Sequence, residues 1–533
     1  MKKIFSLLLN IIVIFFWSSC RDDFNFNITE TQLEFSKDTV YLDTVFSNIG
    51  SSTYNLKVYN TSNENILIPY INLENGQDSY YRLNVDGMYE NQGNSSNYFE
   101  NIELLANDSL FIFIETTIDI NNLPSESNQF LYTDKIQFDT GYNQQTVDLI
   151  TLVKDAVFIY PNKYTDSSTG ETITETLNFD INNDGISDET NIQGRFLSEN
   201  ELNFTNEKPY VIYGYAGVPS NSILTIDKGA RVHFHSNSGI VVTSEGSIQV
   251  NGEFSQDQEV LENEVIFEGD RLENSFANTP GQWGTIWLFS GSTNNIINFS
   301  TIKNATIGIY AENQLNTNDN QLTINNSKIY NSSNFGILAK SSSITASNLV
   351  INKSGQSSFA ATYGGQYELN HCTITNYWNN SFRQFPSLLI NNYSIDSNGN
   401  VLNNSNLNFN INNSIISGNE NIEFLIEQFD DSNLNFKFKN CMMKFNDYND
   451  IFTGQNNYDF LNLEKYENIY LNLNTDFKNE YNNELFILQN SEVINLGDQQ
   501  LAAIYPLDLL NINRENSPWR SESKRIRFSP KWK

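Results

Sequence analysis

Histidine and cysteine are scarce in this chain, with three of each in 533 residues. Two cysteines beyond Cys20 cannot form the disulfide framework that staples small exported domains. The histidines are equally limiting. His233 and His235 share one strand face, but His371 lies far along the chain, so no third ligand completes a zinc site nearby. Basic residues number 31 against 63 acidic ones, a formal net charge of −32. That imbalance excludes nucleic acid and anionic membrane as direct partners, since both would be repelled. No segment after Cys20 is apolar for long enough to cross a bilayer as a helix. The G-x-S-x-G, H-E-x-x-H and P-loop patterns are missing, and with them the chemistries that need those spacings. Helix signals are nearly absent too.

Aromatic residues are plentiful, 37 Phe and 27 Tyr, so an acidic disordered tail is not the reading. Only ten prolines and 27 glycines punctuate the chain, while Asn is abundant. Asn tolerates the left-handed backbone and bonds its own main chain, so it can stand in for Gly at tight corners. Short alternating runs of β-branched and aromatic residues dominate, and the whole protein reads as all-β. Residues 31–155 carry such runs at hairpin spacing, as in "TYNLKVYN", "DSLFIFIETTI" and "QTVDLITLV". This stretch suits one β-sandwich. Residues 156–205 read as a connector.

The rhythm changes over 206–450. Strands shorten, and a small or polar residue precedes a spaced aliphatic at Ser300/Ile302, Ser327/Ile329, Asn348/Val350, Cys372/Ile374, Ser414/Ile416 and Cys441/Met443. The spacing is roughly 21 to 27 residues, with one jump of about 42 before Ser414, which is either an inserted loop or an unread coil. Such a period predicts one coil of a parallel β-helix. Cys372 and Cys441 fall on the same position of coils separated by that of Ser414. Rungs stack about 4.8 Å apart, too far over two steps for a disulfide. Both thiols are expected to be free packing residues. Residues 451–518 read as closing coils or a cap, and 519–533 as a basic tail.

Two resemblances sharpen this reading. Met1-Lys2-Lys3 followed by an apolar run to Trp17 and then Ser18-Ser19-Cys20 resembles the signal and lipobox of bacterial lipoproteins, except that Trp17 stands where an aliphatic is usual. The resemblance implies removal of residues 1–19 and acylation of Cys20, whose acyl chains anchor the protein in the outer membrane. Residues 20–30 then form a tether. Arg21-Asp22-Asp23-Phe24 resembles the acidic signal that sends some of these proteins to the outer face, the alternative being a solvated tether facing the periplasm. Further on, the rung pattern together with "PGQWGTIW" resembles the right-handed parallel β-helix repeat lipoproteins of bacterial surfaces and, more distantly, the pectate-lyase-like superfamily. The opening "LEFSKDTVYLDTVFSNIG" resembles immunoglobulin-like domains of bacterial surface proteins in architecture, without a Cys–Trp–Cys core. The expected fold is an N-terminal immunoglobulin-like β-sandwich followed by a right-handed parallel β-helix.

Several residues could carry chemistry. Asp180, Asn182, Asp184 and Asp188 occupy alternate positions of a calcium loop, with the Ile186 carbonyl between them and Gly185 at the turn. Hard oxygens at that spacing suit Ca²⁺, and the plain alternative is an acidic turn. Glu268 and Asp270, two apart, would face one way on a strand with Arg271 adjacent. β-Helix polysaccharide lyases use acids to bind Ca²⁺ and an Arg or Lys as base, so this trio is the candidate catalytic set, against the alternative of a charged turn. Tyr363 and Trp378 are candidates for stacking on sugars, whereas Trp283 and Trp287 read as packing residues. The functional expectation is non-catalytic display, adhesion or glycan binding. The alternative is a polysaccharide lyase or glycoside hydrolase.

Overall fold

The computed structural model describes residues 25–514, except 29–31, 90–97, 125–126, 140–143, 183, 314–319, 397–399 and 430–432. Cys20 with its leader and the tail 519–533 lie outside the described residues. The chain divides after Asp155 into two compact units. The protein is nearly all-β, as expected. Among the described residues no helix is long and apolar enough to cross a membrane.

The first unit holds two mostly antiparallel sheets. Strands Thr39–Phe46, Gln145–Lys154, Gln129–Phe138 and Ile66–Leu73 make most of one sheet; Tyr54–Tyr59, Ser109–Thr116 and Tyr81–Val85 make the centre of the other. Alternation puts Val40, Leu42, Ile68, Ile71, Leu56, Val58, Ile112 and Ile114 into one shared core. Tyr81 is fully buried there, and its hydroxyl donates to Thr151 Oγ1 at 3.0 Å.

The second unit holds three parallel sheets of eleven, nine and ten strands, the longest running from Val157–Ile159 to Tyr470–Leu471. Here they are sheets I, II and III. As far as Met442–Met443 the chain visits them in rotation, for example Tyr210–Ile212 in sheet I, Tyr215–Val218 in II, Ile223–Asp227 in III, then Arg231–Phe234 back in I. Each strand pairs in register with the strand one coil later, for example Val232 with Phe267 and Phe267 with Ile302. Inward residues of all three sheets form one continuous core from Ile159 to Tyr466. This arrangement is compatible with a parallel β-helix.

The corners explain the asparagines. Between sheet III and sheet I the chain turns on Asn326, Asn348, His371, Asn413, Asn440 and Asn468, all with φ between 48° and 54°. The residue after the corner then points inward. Ser327, Cys372, Ser414 and Cys441 take this position, as the repeat predicts, and all four are buried. Cys372 and Cys441 are free thiols on either side of Ser414, and burial pushes both up to about 12.

One rung reads differently. Ile329, Ile351 and Ile374 pair across sheet I, so Leu349 and Ile351 face the core instead of Asn348 and Val350. Asn348 is the corner itself, its amide donating to Asn326 Oδ1 at 2.7 Å and to the Leu507 carbonyl. Because side chains alternate, a slip of one residue exchanges the two faces. The 42-residue spacing is a single coil of Thr373–Asn376, Leu388–Asn391 and Leu407–Asn412, enlarged by a turn over 377–387 and the hairpin Tyr393–Ile395/Val401–Asn404.

The 156–205 segment also contributes to the solenoid. Val157–Ile159, Gly194–Phe196 and Asn203–Phe204 pair with the next coil in sheets I, II and III. The intervening residues lie outside sheet II, where Leu177 and Phe179 bury against Val241 and Phe289. At the other end, pairing continues to Tyr470–Leu471. The chain then returns along the corners as a strap: the hairpin Phe477–Asn479/Glu484–Ile487, the helix Gln499–Ile504 capped by Asp498, and the residues that follow it up to Arg514, the last one described. Corner side chains hold it. Asn440 and Asn348 donate to the Leu496 and Leu507 carbonyls, and Arg514 donates to Asn348 Oδ1 at 2.6 Å.

Candidate functional site

Strand alternation places Glu268 and Asp270 on the outer face of sheet I, as their spacing implies. Both are already engaged. Lys303 Nζ lies 2.7 Å from Glu268 Oε2, and His233 Nδ1 lies 3.8 Å from Glu268 Oε1. His235 Nδ1 and Asp270 Oδ2 are 2.7 Å apart, and the His235 ring stacks on Tyr213 at 4.3 Å. His235 thus serves Asp270, while His233 Nδ1 has the Gly269 carbonyl at 3.2 Å as its nearer partner. Burial pushes the Glu268 carboxyl up, but His233 and Lys303 outweigh it and hold the group below its ordinary value. An acid held ionised in this way is unsuited to donating a proton. Arg271 does not join the group as a base. It pairs with Glu273 at 2.8 Å and lies over the Phe276 ring at 4.0 Å.

The acidic turn is compact. Asp180 accepts from the amides of Asp184 and Gly185, Asn182 Oδ1 accepts from Asp184, and Asp184 Oδ1 accepts from Ile186. Asp188 Oδ2 accepts from the Ile181 amide at 2.8 Å, and Gly185 takes φ 84°, which favours glycine. These side chains close the turn through its own backbone. Among the described residues, no group of three or more His, Cys, Asp or Glu is placed to hold a metal.

The stacking candidates separate. Trp378 is only 5% exposed and its indole N–H donates to Ser381 Oγ, so it offers no ring face to a sugar. Its position beside an inserted turn suggested exposure, but the turn folds over it. Tyr363 is partly exposed, with Lys340 Nζ 5.7 Å from its ring. Trp283 stacks on Phe234 in the core at 4.2 Å, and Trp287 packs on Phe289 and Tyr310 outside sheet II. Both act in packing.

Sequence reasoning missed a cleft of about 350 Å³ between sheet III and the strap helix, lined by residues that include Glu368, Asn412, Lys439, Asp498 and Tyr505. Its size is at the small end of ligand clefts. Register builds its floor: Asn370, Asn412 and Lys439 occupy one row of three consecutive strands, with Glu368, Asn410 and Lys437 in the row beside it. Asn412 Nδ2 donates to Glu368 Oε1 and to Asn370 Oδ1, both at 3.0 Å. Asn413 and the Asp498 backbone exchange two hydrogen bonds, and Lys439 Nζ sits 2.9 Å from Asp498 Oδ2. Tyr505 and the aliphatic Leu501 and Ile504 supply the wall. Burial pushes His371 at this seam down to about 4, so it is neutral and adds no charge. The cleft thus presents amides, carboxylates and a phenol beside apolar surface.

No protein-family model matches the chain, and no curated protein matches it. Solved structures match over about a quarter of it. A family 123 glycoside hydrolase from Clostridium perfringens, studied for glycolipid glycan hydrolysis, is 11% identical at a TM-score of 0.16, covering 24% of this chain and 30% of that one. A PapD-like domain of human CEP192 is 10% identical at a TM-score of 0.15, covering 25% and 94%. The major pilin subunit BcpA of Bacillus cereus is 14% identical at a TM-score of 0.16, covering 26% and 45%. This chain spans less than a third of the hydrolase's length. Scores this low carry no argument about function.

Proposed function

We propose that the chain is a lipid-anchored outer-membrane protein, facing the cell exterior, that binds glycans without cleaving them. On this reading Cys20 carries the acyl chains, an immunoglobulin-like sandwich serves as the stalk, and a right-handed β-helix presents the binding surface. The right hand is what parallel crossover connections adopt almost without exception. The observation that carries the binding role is the cleft over sheet III. Sugars are bound by amide and carboxylate groups that take and give hydrogen bonds to hydroxyls, with apolar walls for ring C–H faces, and Glu368, Asn370, Asn412 and Tyr505 supply this set. Weak Ca²⁺ binding at Asp180, Asn182, Asp184, Ile186 and Asp188 belongs to the same reading, with a role in stiffening the turn.

Asn412→Ala removes the amide that ties Glu368 to Asn370. We expect roughly tenfold weaker retention on whichever polysaccharide the native chain binds in a glycan array, with unchanged thermal unfolding. Full retention by this variant would place the site elsewhere. The anchor is tested separately. Cys20→Ala is expected to leave the outer-membrane fraction, either released or held as uncleaved precursor in the inner membrane. An unchanged fraction would end the lipoprotein reading.

The second reading, a polysaccharide lyase or glycoside hydrolase, would have to work from Glu268, Asp270 and Arg271. Those three side chains pair with Lys303, His235 and Glu273 in the structure, so this reading finds less support than the cleft over sheet III.

A further inference from the structure

The charged groups around the sheet III cleft are unevenly matched. Lys439 Nζ lies 2.9 Å from Asp498 Oδ2 and 3.5 Å from Glu467 Oε1, and Lys437 Nζ holds Glu467 Oε2 at 2.8 Å, so both lysines are already paired with these two carboxylates. The nearby Asp498 is held below its ordinary value by that lysine. Lys439 has little left for an incoming anion. Glu368 is in the opposite position. Among the described residues no cation pairs with it, and its contacts are neutral: Asn412 Nδ2 donates to Oε1 at 3.0 Å, and Asn370 and Asn410 lie beside it. Burial pushes its carboxyl upward, the mark of a carboxylate short of positive charge.

We infer that the cleft takes an amino sugar with its nitrogen unacylated, and that the sugar's ammonium pairs with Glu368. The inference rests on the glycan-binding reading and narrows it. A charge-assisted bond to Glu368 would be the strongest polar contact available in the cleft. Leu501 and Ile504 would cover a ring face, and the Tyr505 hydroxyl and Asn370 amide would take hydroxyl groups. Uronate and sulfated glycans would bring negative charge to a lining that already carries an excess of it.

The test is calorimetric titration of the detergent-solubilised full chain at about pH 6, where a free amine is protonated. The probes are the tetramers of glucosamine, N-acetylglucosamine and galacturonate, with tetralysine as a fourth arm. The glucosamine tetramer should bind at least about tenfold more tightly than the acetylated one, and the galacturonate tetramer not at all. Glu368→Gln should erase that preference while leaving the acetylated tetramer within about twofold of its native affinity. Equal affinities for free and acetylated amine, or a preference for uronate, overturn the inference and leave glycan binding standing. Tetralysine binding more tightly than any sugar overturns it in favour of a basic peptide. Silence from every glycan ends the glycan reading as well. If Glu368→Gln does not fold, the native comparison of free against acetylated amine still decides.

Discussion

Arg383→Ala is expected to cost about 3–5 kcal/mol of stability. The side chains of Arg383 and Glu423 are 1% and 0% exposed. Arg383 Nη2 lies 2.6 Å from Glu423 Oε1, and Nη1 lies 2.9 Å from Oε2. The same guanidinium donates to the carbonyls of Phe385 and Asn376 and to Asn419 Oδ1. Glu423 in turn accepts from Ser387 and from the Glu420 amide. Truncating the arginine strands a carboxylate where water cannot reach it, and also releases the inserted turn over 377–387. Urea unfolding of the native chain and the variant measures the loss. The double variant Arg383→Met, Glu423→Met should recover part of it, because removing both charges removes the stranded one. A loss under about 1 kcal/mol for Arg383→Ala would show that the pair is not buried as described.

Phe424→Ala should destabilise the far end of the solenoid by about 3–5 kcal/mol. A parallel stack exposes its core at each end unless something covers it. Here the cover is aromatic. Phe424 is fully buried, with ring centroids of Phe445, Tyr458, Phe438 and Phe460 at 5.1, 5.7, 5.8 and 6.1 Å. Truncation leaves a cavity that rigid rings cannot collapse into. The measurable sign is early proteolysis beyond Leu434 at temperatures where the native chain is resistant. Phe424→Leu keeps most of the volume and should cost under about 1.5 kcal/mol. Equal resistance of Phe424→Ala and the native chain would mean that this cluster does not close the core.

The solenoid was legible because its signal is local and repeated. A small residue after the corner and an aliphatic two places on recur in coil after coil, and Ser327, Cys372, Ser414 and Cys441 all obey it. Where two polar residues could serve as corner or as inward residue, as at Asn348, periodicity alone could not choose between them. The first coil was hidden because Val157–Ile159 and Gly194–Phe196 are three-residue strands separated by the excursion through 160–193. The candidate site was much less legible. Glu268 and Asp270 do share a face, as a period of two requires, but nothing in "FEGDR" told of Lys303 or His235, each brought alongside by stacking of coils. The sheet III cleft needs Glu368 and Asp498, distant in sequence and joined only by the returning strap. The one available trace was the polar row, Asn370 and Asn412 preceding successive corners.

The central claim is binding without turnover, and one measurement meets it directly. The full chain is incubated with a panel of neutral, amino and uronic polysaccharides, and both retention on each polymer and release of reducing or unsaturated ends are followed. Retention on at least one polymer with no release above buffer is the expected result. Release of ends that disappears in a Glu268→Gln or Asp270→Asn variant would contradict the claim and make the outer face of sheet I an active site.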